Sequence, residues 1–369
     1  MNPEKFHGLY IHVPFCTSRC SYCDFYSKAN VEESVIKAYQ KRTLSLLPNA
    51  LLSSESRKLG SVYMGGGTPS LMNSSWFNKI AEILVKNSVN LKDIEWTVEI
   101  NPEDISCTFL QNLKNSGVNR ISTGIQSFDE KILNIMGRRS SVETLRKKLP
   151  LVGKYFDSFS CDIIYGIKGR RNIEKELEEL MNIASPQHIS AYCYTPPEKE
   201  KAPEPADENQ SLQEEKILRE ILFEKGFEQY EISNYSIKKH RSVHNMNYWL
   251  FGSYSGIGPS AHSFFPEKKL RLAFIDNIHN FIKGEPPVEK HLSNCEMIKE
   301  FLMMGLRTVE GIDLNRFPKK FSMEPELFFN EIPGKFLKYN SGRVAFTKTA
   351  LNYYNDLLAK LFCIVEKNC

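Results

Sequence analysis

The 369-residue sequence lacks a long apolar run, a large excess of charge and a secretion signal, and each absence excludes a class of protein. No stretch is apolar over the roughly 20 residues that a transmembrane helix needs, so we expect no integral membrane segment, although peripheral contact with a membrane stays open. The net charge of +4 is small for this length, which argues against a nucleic-acid partner. The first residues carry neither a signal peptide nor an Arg-rich presequence, and we therefore expect a cytoplasmic protein.

Cysteine occurs nine times, but without the patterns of disulfides or structural zinc sites. The odd count, in a sequence with no secretion signal, argues against disulfides. Three cysteines lie close together, with the spacing C-x3-C-x2-C: Cys16, Cys20 and Cys23. A structural zinc site would need a fourth ligand, usually from a second C-x2-C or H-x3-H pair, and the sequence contains no such pair.

The three clustered cysteines follow the alternating apolar run Leu9–Val13, which predicts a strand. They are therefore expected on a loop at the carboxyl end of that strand. Three thiolates from one loop can bind three irons of a [4Fe-4S] cluster and leave the fourth iron without a protein ligand. An open iron is a place for chemistry, as an open position is at a catalytic zinc. The spacing favours this cluster, and zinc stays the alternative.

Strand-like and helix-like patterns alternate six times between residues 9 and 194. This alternation predicts an α/β fold with a parallel sheet, either doubly wound or a partial barrel. The predicted strands are Leu9–Val13, Leu59–Met64, Ile94–Ile100, Val118–Gly124, Phe159–Tyr165 and His188–Tyr194. A proline-rich, charged segment over residues 195–209 then predicts a surface loop, and residues 295–362 predict a small helical unit.

Polar residues and glycines stand where several of the predicted strands end. Glu99, Gln126 and Asp162 lie at or near strand ends, Arg138 lies farther along the chain, and residues 65–68 read Gly-Gly-Gly-Thr. In barrels the carboxyl ends of the strands carry the active site. Glycines let a ligand approach the backbone, although a plain turn fits this run equally well, and no G-K-[ST] follows to indicate a phosphate loop. Any one of the polar residues alone is best interpreted as a solvated loop residue or a helix cap.

The cysteine spacing, together with Tyr22, Asp24 and Phe25, resembles the signature of the radical S-adenosylmethionine (SAM) superfamily. In that superfamily the amino and carboxylate groups of SAM chelate the open iron, and one electron cleaves SAM to a 5′-deoxyadenosyl radical. The resemblance implies a partial (β/α)6 barrel. The string over residues 9–16 narrows the resemblance to the oxygen-independent coproporphyrinogen III dehydrogenases and the HemW-type heme chaperones.

The resemblance also implies which residues contact SAM. By match to the family's motifs, the expected SAM-binding residues are Tyr10, Gly66, Gly67, Thr68, Glu99, Gln126, Arg138 and Asp162. Carboxylate and amide groups suit the ribose hydroxyls, and a guanidinium suits the SAM carboxylate.

A second string, His244-Asn245-Met246-Asn247-Tyr248-Trp249, resembles the HNxxYW motif of the HemW-type proteins. A lone histidine is usually a hydrogen-bonded structural residue, but one beside two large aromatic residues can ligate heme iron, so we hypothesise that His244 is an axial heme ligand. Phe25 stands where the dehydrogenases have a fourth cysteine, and Cys16 comes earlier than in those enzymes. Both differences point away from the dehydrogenase reaction.

The resemblance therefore implies a heme chaperone that binds a [4Fe-4S] cluster, SAM and heme and delivers heme to recipient hemoproteins, respiratory ones among the candidates. The alternative is an oxygen-independent coproporphyrinogen III dehydrogenase. Three units are expected: a radical SAM partial barrel over residues 1–235, a connecting segment with the HNxxYW motif over 236–290, and a HemN-type, winged-helix-like C-terminal domain over 291–369. One departure concerns residues 166–171, which read G-I-K-G-R-R where G-L-P-G-Q-T is usual.

Overall fold

The computed structural model describes residues 5–52, 57–199, 201–321 and 324–369. The strands in these ranges are β1 Phe6–Val13, β2 Phe15–Cys16, β3 Lys28–Ala29, β4 Lys58–Gly66, β5 Glu95–Ile100, β6 Arg120–Gln126, β7 Phe159–Tyr165, β8 His188–Cys193, β9 Glu228–Gln229, β10 Asn234–Ser236, β11 Ser253–Ile257, β12 His262–Phe265, β13 Leu270–Ala273, β14 Val288–His291, β15 Ile312–Asp313, β16 Leu337–Asn340 and β17 Arg343–Phe346. The α-helices are α1 Glu33–Leu52, α2 Ser74–Lys86, α3 Cys107–Asn115, α4 Glu130–Ile135, α5 Val142–Tyr155, α6 Ile173–Ile183, α7 Glu208–Glu224, α8 Val243–Trp249, α9 Ile278–Lys283, α10 Asn294–Leu306, α11 Arg316–Phe321, α12 Glu326–Phe329, α13 Lys348–Leu351 and α14 Tyr354–Asn368.

The main sheet has the strand order β14-β13-β12-β11-β1-β4-β5-β6-β7-β8-β10-β9. Its seven central strands, from β11 to β8, pair in parallel, and antiparallel strands extend both edges. From β1 to β8 the parallel strands follow one another in sequence order. A doubly wound sheet would reverse its order at a switch point. The prediction of an α/β fold with the strand order of a partial (β/α)6 barrel is therefore confirmed.

All six predicted strands form, and β7 has the predicted bounds. The seventh parallel strand, β11, was not predicted, because its sequence, Ser-Tyr-Ser-Gly-Ile, lacks an apolar alternation. It pairs with β1, and the two ring nitrogens of His7 each lie 2.9 Å from a hydroxyl of β11, on Ser253 and Ser255. Tertiary pairing thus decides the structure of this segment, as it often does for polar strands.

Alternate residues of the parallel strands are polar and bond to one another. Ser160 lies 2.7 Å from a ring nitrogen of His188, and Ser122 donates to Asp162. The residues between them in sequence, such as Ile121 and Cys161, are fully buried in the apolar core. Because successive side chains of a strand point to opposite faces, one face of the sheet packs against the helices and the other forms a polar interior.

Helix α8 lies against the amino-terminal half of this polar interior. The carboxylate of Glu95, at the start of β5, accepts hydrogen bonds from the backbone of Val243 (2.9 Å) and His244 (3.0 Å). Those are donors in the first turn of α8, which has no earlier carbonyls to bond. A carboxylate at a helix amino terminus also interacts favourably with the helix dipole. Glu95 therefore anchors α8 to the barrel, and α8 is the helix that contains the HNxxYW string.

The C-terminal part of the chain packs helices α10–α14 with a three-stranded sheet, β15-β17-β16. Its separate core includes Phe301, Phe317 and Leu361, and a small helical, winged-helix-like unit is thus confirmed. Residues 253–291 add four strands to the main sheet, and the domain boundaries at 235 and 290 stay predictions. None of the described helices has the length and apolarity needed to cross a bilayer.

Candidate functional site

A cavity of about 330 Å³ lies at the carboxyl ends of the parallel strands. Ten of the predicted site residues line it: Cys16, Cys20, Cys23, Gly66, Gly67, Thr68, Glu99, Gln126, Arg138 and Asp162. Tyr10 and His244 lie deeper in the barrel, outside the lining. The sequence motifs thus converge on one cavity, although they are spread over about 150 residues.

A chain of hydrogen bonds surrounds two of the three clustered thiols. Thr68 Oγ1 donates to Cys16 Sγ (3.5 Å) and accepts from Asn101 Nδ2 (3.1 Å). Arg138 donates from Nη2 to Asn101 Oδ1 (3.3 Å), and its Nη1 lies 3.8 Å from Cys20 Sγ. Arg138 therefore faces the cysteine loop as well as the cavity.

Burial raises the pKa of Cys23, and the neighbouring thiols of Cys20 and Cys16 add to the rise. Three thiolates this close together would repel one another, so they fit a cationic centre between them. Within the described ranges, no three His, Cys, Asp or Glu side chains converge as the ligands of a single metal ion do. The spacing of the three cysteines, with no second ligand pair in the sequence, remains the argument for an iron–sulfur cluster rather than zinc.

The glycine loop after β4 packs directly against the segment that leads into the cysteines. Gly66 has φ +104°, and a Cβ there would lie 2.5 Å from the ring of His12. A Cβ on Gly67 would lie 2.5 Å from the carbonyl oxygen of Phe15. The amide of Thr68 donates to that same oxygen (2.7 Å). Only glycine fits these two positions, and the run is a wall of the cavity rather than a free turn.

Two half-buried carboxyl groups, those of Glu99 and Asp162, face the cavity from strands β5 and β7. Glu99 accepts from the hydroxyl of Tyr63 at Oε1 (2.7 Å) and from the amide of Gly66 at Oε2 (3.3 Å). Burial raises the pKa of Glu99 to about 7, with the hydrogen bond from Tyr63 opposing the rise and Asp162 adding to it. Burial also raises the pKa of Asp162. The pair can accept hydrogen bonds from a ligand rich in hydroxyl groups.

Gln126 has φ +68°, in the left-handed region that residues other than glycine rarely adopt. The pairing of β6 with β7 shifts register between Gly124 and Gln126, which marks a bulge. A Cβ on Gly124 would lie 2.6 Å from Nε2 of Gln126. The side chain of Gln126 therefore folds over the glycine. Bulges and strained residues next to a cavity are typical of functional sites, because they re-aim a side chain.

Tyr10 does not line the cavity and is separated from it by His12. Its hydroxyl is 2.9 Å from Nδ1 of His12, whose Nε2 is 2.8 Å from the carbonyl oxygen of Tyr26. Burial lowers the pKa of His12, which keeps the ring neutral. The ring of His12 packs against Gly66 in the glycine loop. Tyr10 is therefore connected to the cavity indirectly, through His12 and this loop.

His244 is 1 % exposed, and both of its ring nitrogens are in hydrogen-bond contact. Nδ1 lies 2.8 Å from Ser61 Oγ and Nε2 lies 2.7 Å from the hydroxyl of Tyr248. Burial lowers the pKa of His244 to about 3, and its ring stacks on Tyr63 at 5.2 Å. Ligation of iron would require one of the two contacts to break. The role as axial heme ligand stays a prediction.

Several cavity residues were missed at the level of sequence: Tyr63, Asn101, Arg120, Ser122, Ser190, Tyr192 and Asn245. Most are polar residues at alternate positions of buried strands, and that alternation was the available signal. Asn101 belongs to the string that carries Glu99. Asn245 belongs to the HNxxYW string and is the member that lines the cavity.

Comparison with known families matches two parts of the chain. The Radical SAM superfamily profile matches residues 10–183, and the HemN C-terminal domain profile matches residues 292–334. Among solved structures, coproporphyrinogen III oxidase (HemN) from Escherichia coli, described as a radical SAM enzyme, superposes with a TM-score of 0.79 at 18% identity. The superposition covers 100% of this chain and 91% of that one. This likeness establishes the fold.

Curated relatives match over nearly the full length. The heme chaperone HemW of Buchnera aphidicola subsp. Acyrthosiphon pisum is 30% identical, over 95% of this chain and 97% of its own. HemW of Escherichia coli is 31% identical, over 82% and 83%. The mitochondrial radical S-adenosyl methionine domain-containing protein 1 of Danio rerio is 34% identical, over 89% and 78%. The chain therefore belongs to the HemW family of the radical SAM superfamily.

Proposed function

We propose that this protein is a heme chaperone that holds a [4Fe-4S] cluster and SAM in the cavity and transfers heme to recipient hemoproteins. The observation that carries the proposal is the near full-length similarity to proteins named heme chaperone HemW. Membership in the radical SAM superfamily implies the cluster and SAM as cofactors. Heme, as the group that is carried, follows from the relatives' name, and we propose respiratory hemoproteins as its recipients.

The chain's own residues fit these cofactors. Cys16, Cys20 and Cys23 would hold the cluster, with Thr68 and Arg138 bonded around their sulfurs. When both are bound, the cluster would supply one electron to reduce the sulfonium group of SAM. The remaining cavity residues are proposed to bind SAM: the glycine loop offers backbone at close range, and the carboxyl groups accept hydrogen bonds from hydroxyl groups.

Phe25 stands at the mouth of the cavity with 65% of its surface exposed. It gives the cysteine loop an apolar residue where the dehydrogenases have a fourth thiol. An exposed large apolar side chain beside a cavity is typical of a binding surface. In the proposed function, Phe25 contacts a bound organic molecule. It does not supply a fourth protein bond to the metal cluster.

The proposal places the protein in the cytoplasm, where thiols stay reduced. All nine cysteines are free, as a reducing compartment requires. Contact with a membrane would then be peripheral, at the point where heme passes to a membrane-bound recipient.

The test is anaerobic purification with reconstitution, followed by three measurements on the same preparation. Iron and sulfide content report the cluster, calorimetric titration reports SAM, and the Soret band during titration with heme reports heme. Loaded protein is then mixed with the apo form of a cytochrome subunit from the same cell. Movement of heme to the cytochrome is expected. Absence of any Soret change on adding heme would rule out the chaperone function.

The second candidate function is oxidative decarboxylation of coproporphyrinogen III, favoured by the likeness in fold to HemN. Reconstituted protein is incubated with SAM, dithionite and coproporphyrinogen III. We expect no protoporphyrinogen IX, because the fourth cysteine of those enzymes is replaced here. Product formed over many turnovers would establish the enzyme instead.

A further inference from the structure

Arg170 lies fully buried behind the cavity wall, in the turn that follows β7. Its Nη1 donates to Oε1 of Glu176 (2.6 Å), and its Nε lies 3.6 Å from Oε2 of Glu214. Its Nη2 donates to the carbonyl oxygen of Ile164. A buried guanidinium is stable only when carboxylates and carbonyls replace its lost hydration, and here two helices and a strand supply them.

The partners of Arg170 connect it to the ends of two neighbouring strands. Glu176 Oε2 accepts from the hydroxyl of Ser127 (2.5 Å) and from the amide of Phe128 (2.7 Å), directly after Gln126. Glu214 Oε2 accepts from the amide of Gly166, directly after β7 (2.8 Å). One buried cluster of charges therefore ties the end of β6 to the end of β7 and to helices α6 and α7.

These two strand ends carry cavity residues. Gln126 ends β6 with its strained backbone, and Asp162 and Ile164 belong to β7. The carbonyl oxygen that Arg170 binds is that of Ile164, two residues after Asp162. The network around Arg170 therefore bonds to residues next to both Gln126 and Asp162.

The sequence at this turn differs from the family's usual string. Residues 166–171 read G-I-K-G-R-R, so Arg170 stands where the usual G-L-P-G-Q-T has glutamine. A glutamine carries no charge and cannot neutralise two carboxylates. An arginine can bridge several acceptors at once, because its planar guanidinium has five donors.

We propose that Arg170 is a positioning residue for SAM: through Glu176 and the Ile164 carbonyl it sets the spacing of Gln126 and Asp162, and hence the affinity of the cavity for the nucleoside part of SAM. This inference rests on the proposed function, since it takes SAM as the ligand. Arg170 itself does not line the 330 Å³ cavity. Its effect reaches SAM only through the two strand ends.

The test compares Arg170→Gln, Arg170→Lys and Glu176→Gln with wild-type protein, all reconstituted anaerobically. We expect Arg170→Gln and Glu176→Gln to weaken SAM binding about tenfold or more by calorimetry, and Arg170→Lys to weaken it less, because a lysine keeps the charge but not the fork of donors. Iron content should stay at the wild-type level, because the cysteine loop is not part of the network.

A matched control separates positioning from loss of stability. Leu180, on the same helix α6, is fully buried, and Leu180→Ala should lower the melting temperature while leaving the SAM dissociation constant unchanged. Equal SAM affinity in wild type and Arg170→Gln would overturn the proposal, as would equal weakening by Leu180→Ala.

A readout without SAM keeps the inference separate from the proposed function. In the protein without cofactors, Arg170→Lys should speed amide hydrogen exchange over residues 124–128 and 162–167 relative to wild type. Failure of wild-type protein to bind SAM would refute the SAM part of the proposed function. Unchanged exchange over both segments would refute the role of Arg170 itself.

Discussion

The hydroxyl of Tyr63 donates a hydrogen bond of 2.7 Å to Glu99 in the wall of the cavity. Without this bond the carboxyl group would be harder to ionise, because burial already raises the pKa of Glu99 to about 7. The tyrosine therefore favours the carboxylate form of Glu99, which predominates above about pH 7.

The first prediction concerns pH and SAM binding. If the ionised form of Glu99 binds SAM, the dissociation constant should rise about tenfold for each pH unit below about 7. Tyr63→Phe should move this rise to higher pH, because the lost hydrogen bond favoured the carboxylate, and Glu99→Gln should abolish it. Calorimetry between pH 5.5 and 8.5 measures the effect. Tyr39→Phe, which removes a buried hydroxyl bonded to the carbonyl oxygen of His12 outside the cavity lining, should keep the wild-type profile.

The same group predicts how stability depends on pH. The folded state holds the Glu99 proton up to about pH 7, whereas the unfolded chain loses it near pH 4.5. The free energy of unfolding should therefore fall, through this group, as pH rises from 4.5 to 7, by about 1.4 kcal/mol for each unit of pKa. Glu99→Gln lacks this loss, so its stability relative to wild type should increase over that range and stay constant above it. A pH-independent difference in urea denaturation would contradict the assignment.

A third prediction tests the cluster ligands. Replacement of Cys20 by Ser should remove most of the iron and the visible absorbance of reconstituted protein, because a cluster held by three thiolates loses one of them. Cys107→Ser provides the control, since Cys107 is exposed at the start of α3, outside the cavity lining. Full iron content in Cys20→Ser would mean that the cysteine loop is not the cluster site.

A fourth prediction tests His244. If His244 ligates heme, His244→Ala should weaken heme binding and change the Soret band. The matched control is His7→Ala, because His7 is also buried with both ring nitrogens beside hydroxyl groups. Both variants should lose about 1–3 kcal/mol of stability from the hydroxyls left unpaired. An unchanged Soret band in His244→Ala would contradict heme ligation by His244. Its role would then be structural, packed against Tyr63.

The fifth prediction concerns the contact between the barrel and the C-terminal unit. Arg307 donates to the buried carboxylate of Glu231 (2.6 Å) and lies over the ring of Trp249 at 4.7 Å. Arg307→Ala should destabilise the protein by about 3–5 kcal/mol, because it leaves a buried carboxylate unpaired. Lys299→Ala breaks the more exposed pair with Glu366 and should cost less than about 1 kcal/mol. Thermal unfolding of both variants measures the difference.

The order of the strands and the convergence of the motifs were predictable, because both follow from alternation and from the rule that parallel strands end at one edge. Strand β11 was not predictable, because the hydrogen-bond contacts of Ser253 and Ser255 are with His7, near the amino terminus. The contacts of His244 were equally out of reach. No local pattern shows that Ser61 and Tyr248 occupy its two nitrogens.

Arg170 illustrates the same limit at the level of the site. The sequence around it showed only a departure from the family's usual string. Its burial, and its contacts with Glu176 and Ile164, depend on the packing of α6 against two strand ends. A charge that is buried because it has partners cannot be distinguished in sequence from one that is solvated.

Strand β1 has β4 on one side and β11 on the other, and β11 is synthesised some 240 residues later. During translation β1 therefore lacks one neighbour until residue 257 has left the ribosome, and pairing over such a sequence distance is slow. The cysteine loop directly follows β1, so its surroundings are complete only after most of the chain exists. A cofactor inserted at this loop would therefore meet its finished surroundings only in a nearly complete polypeptide.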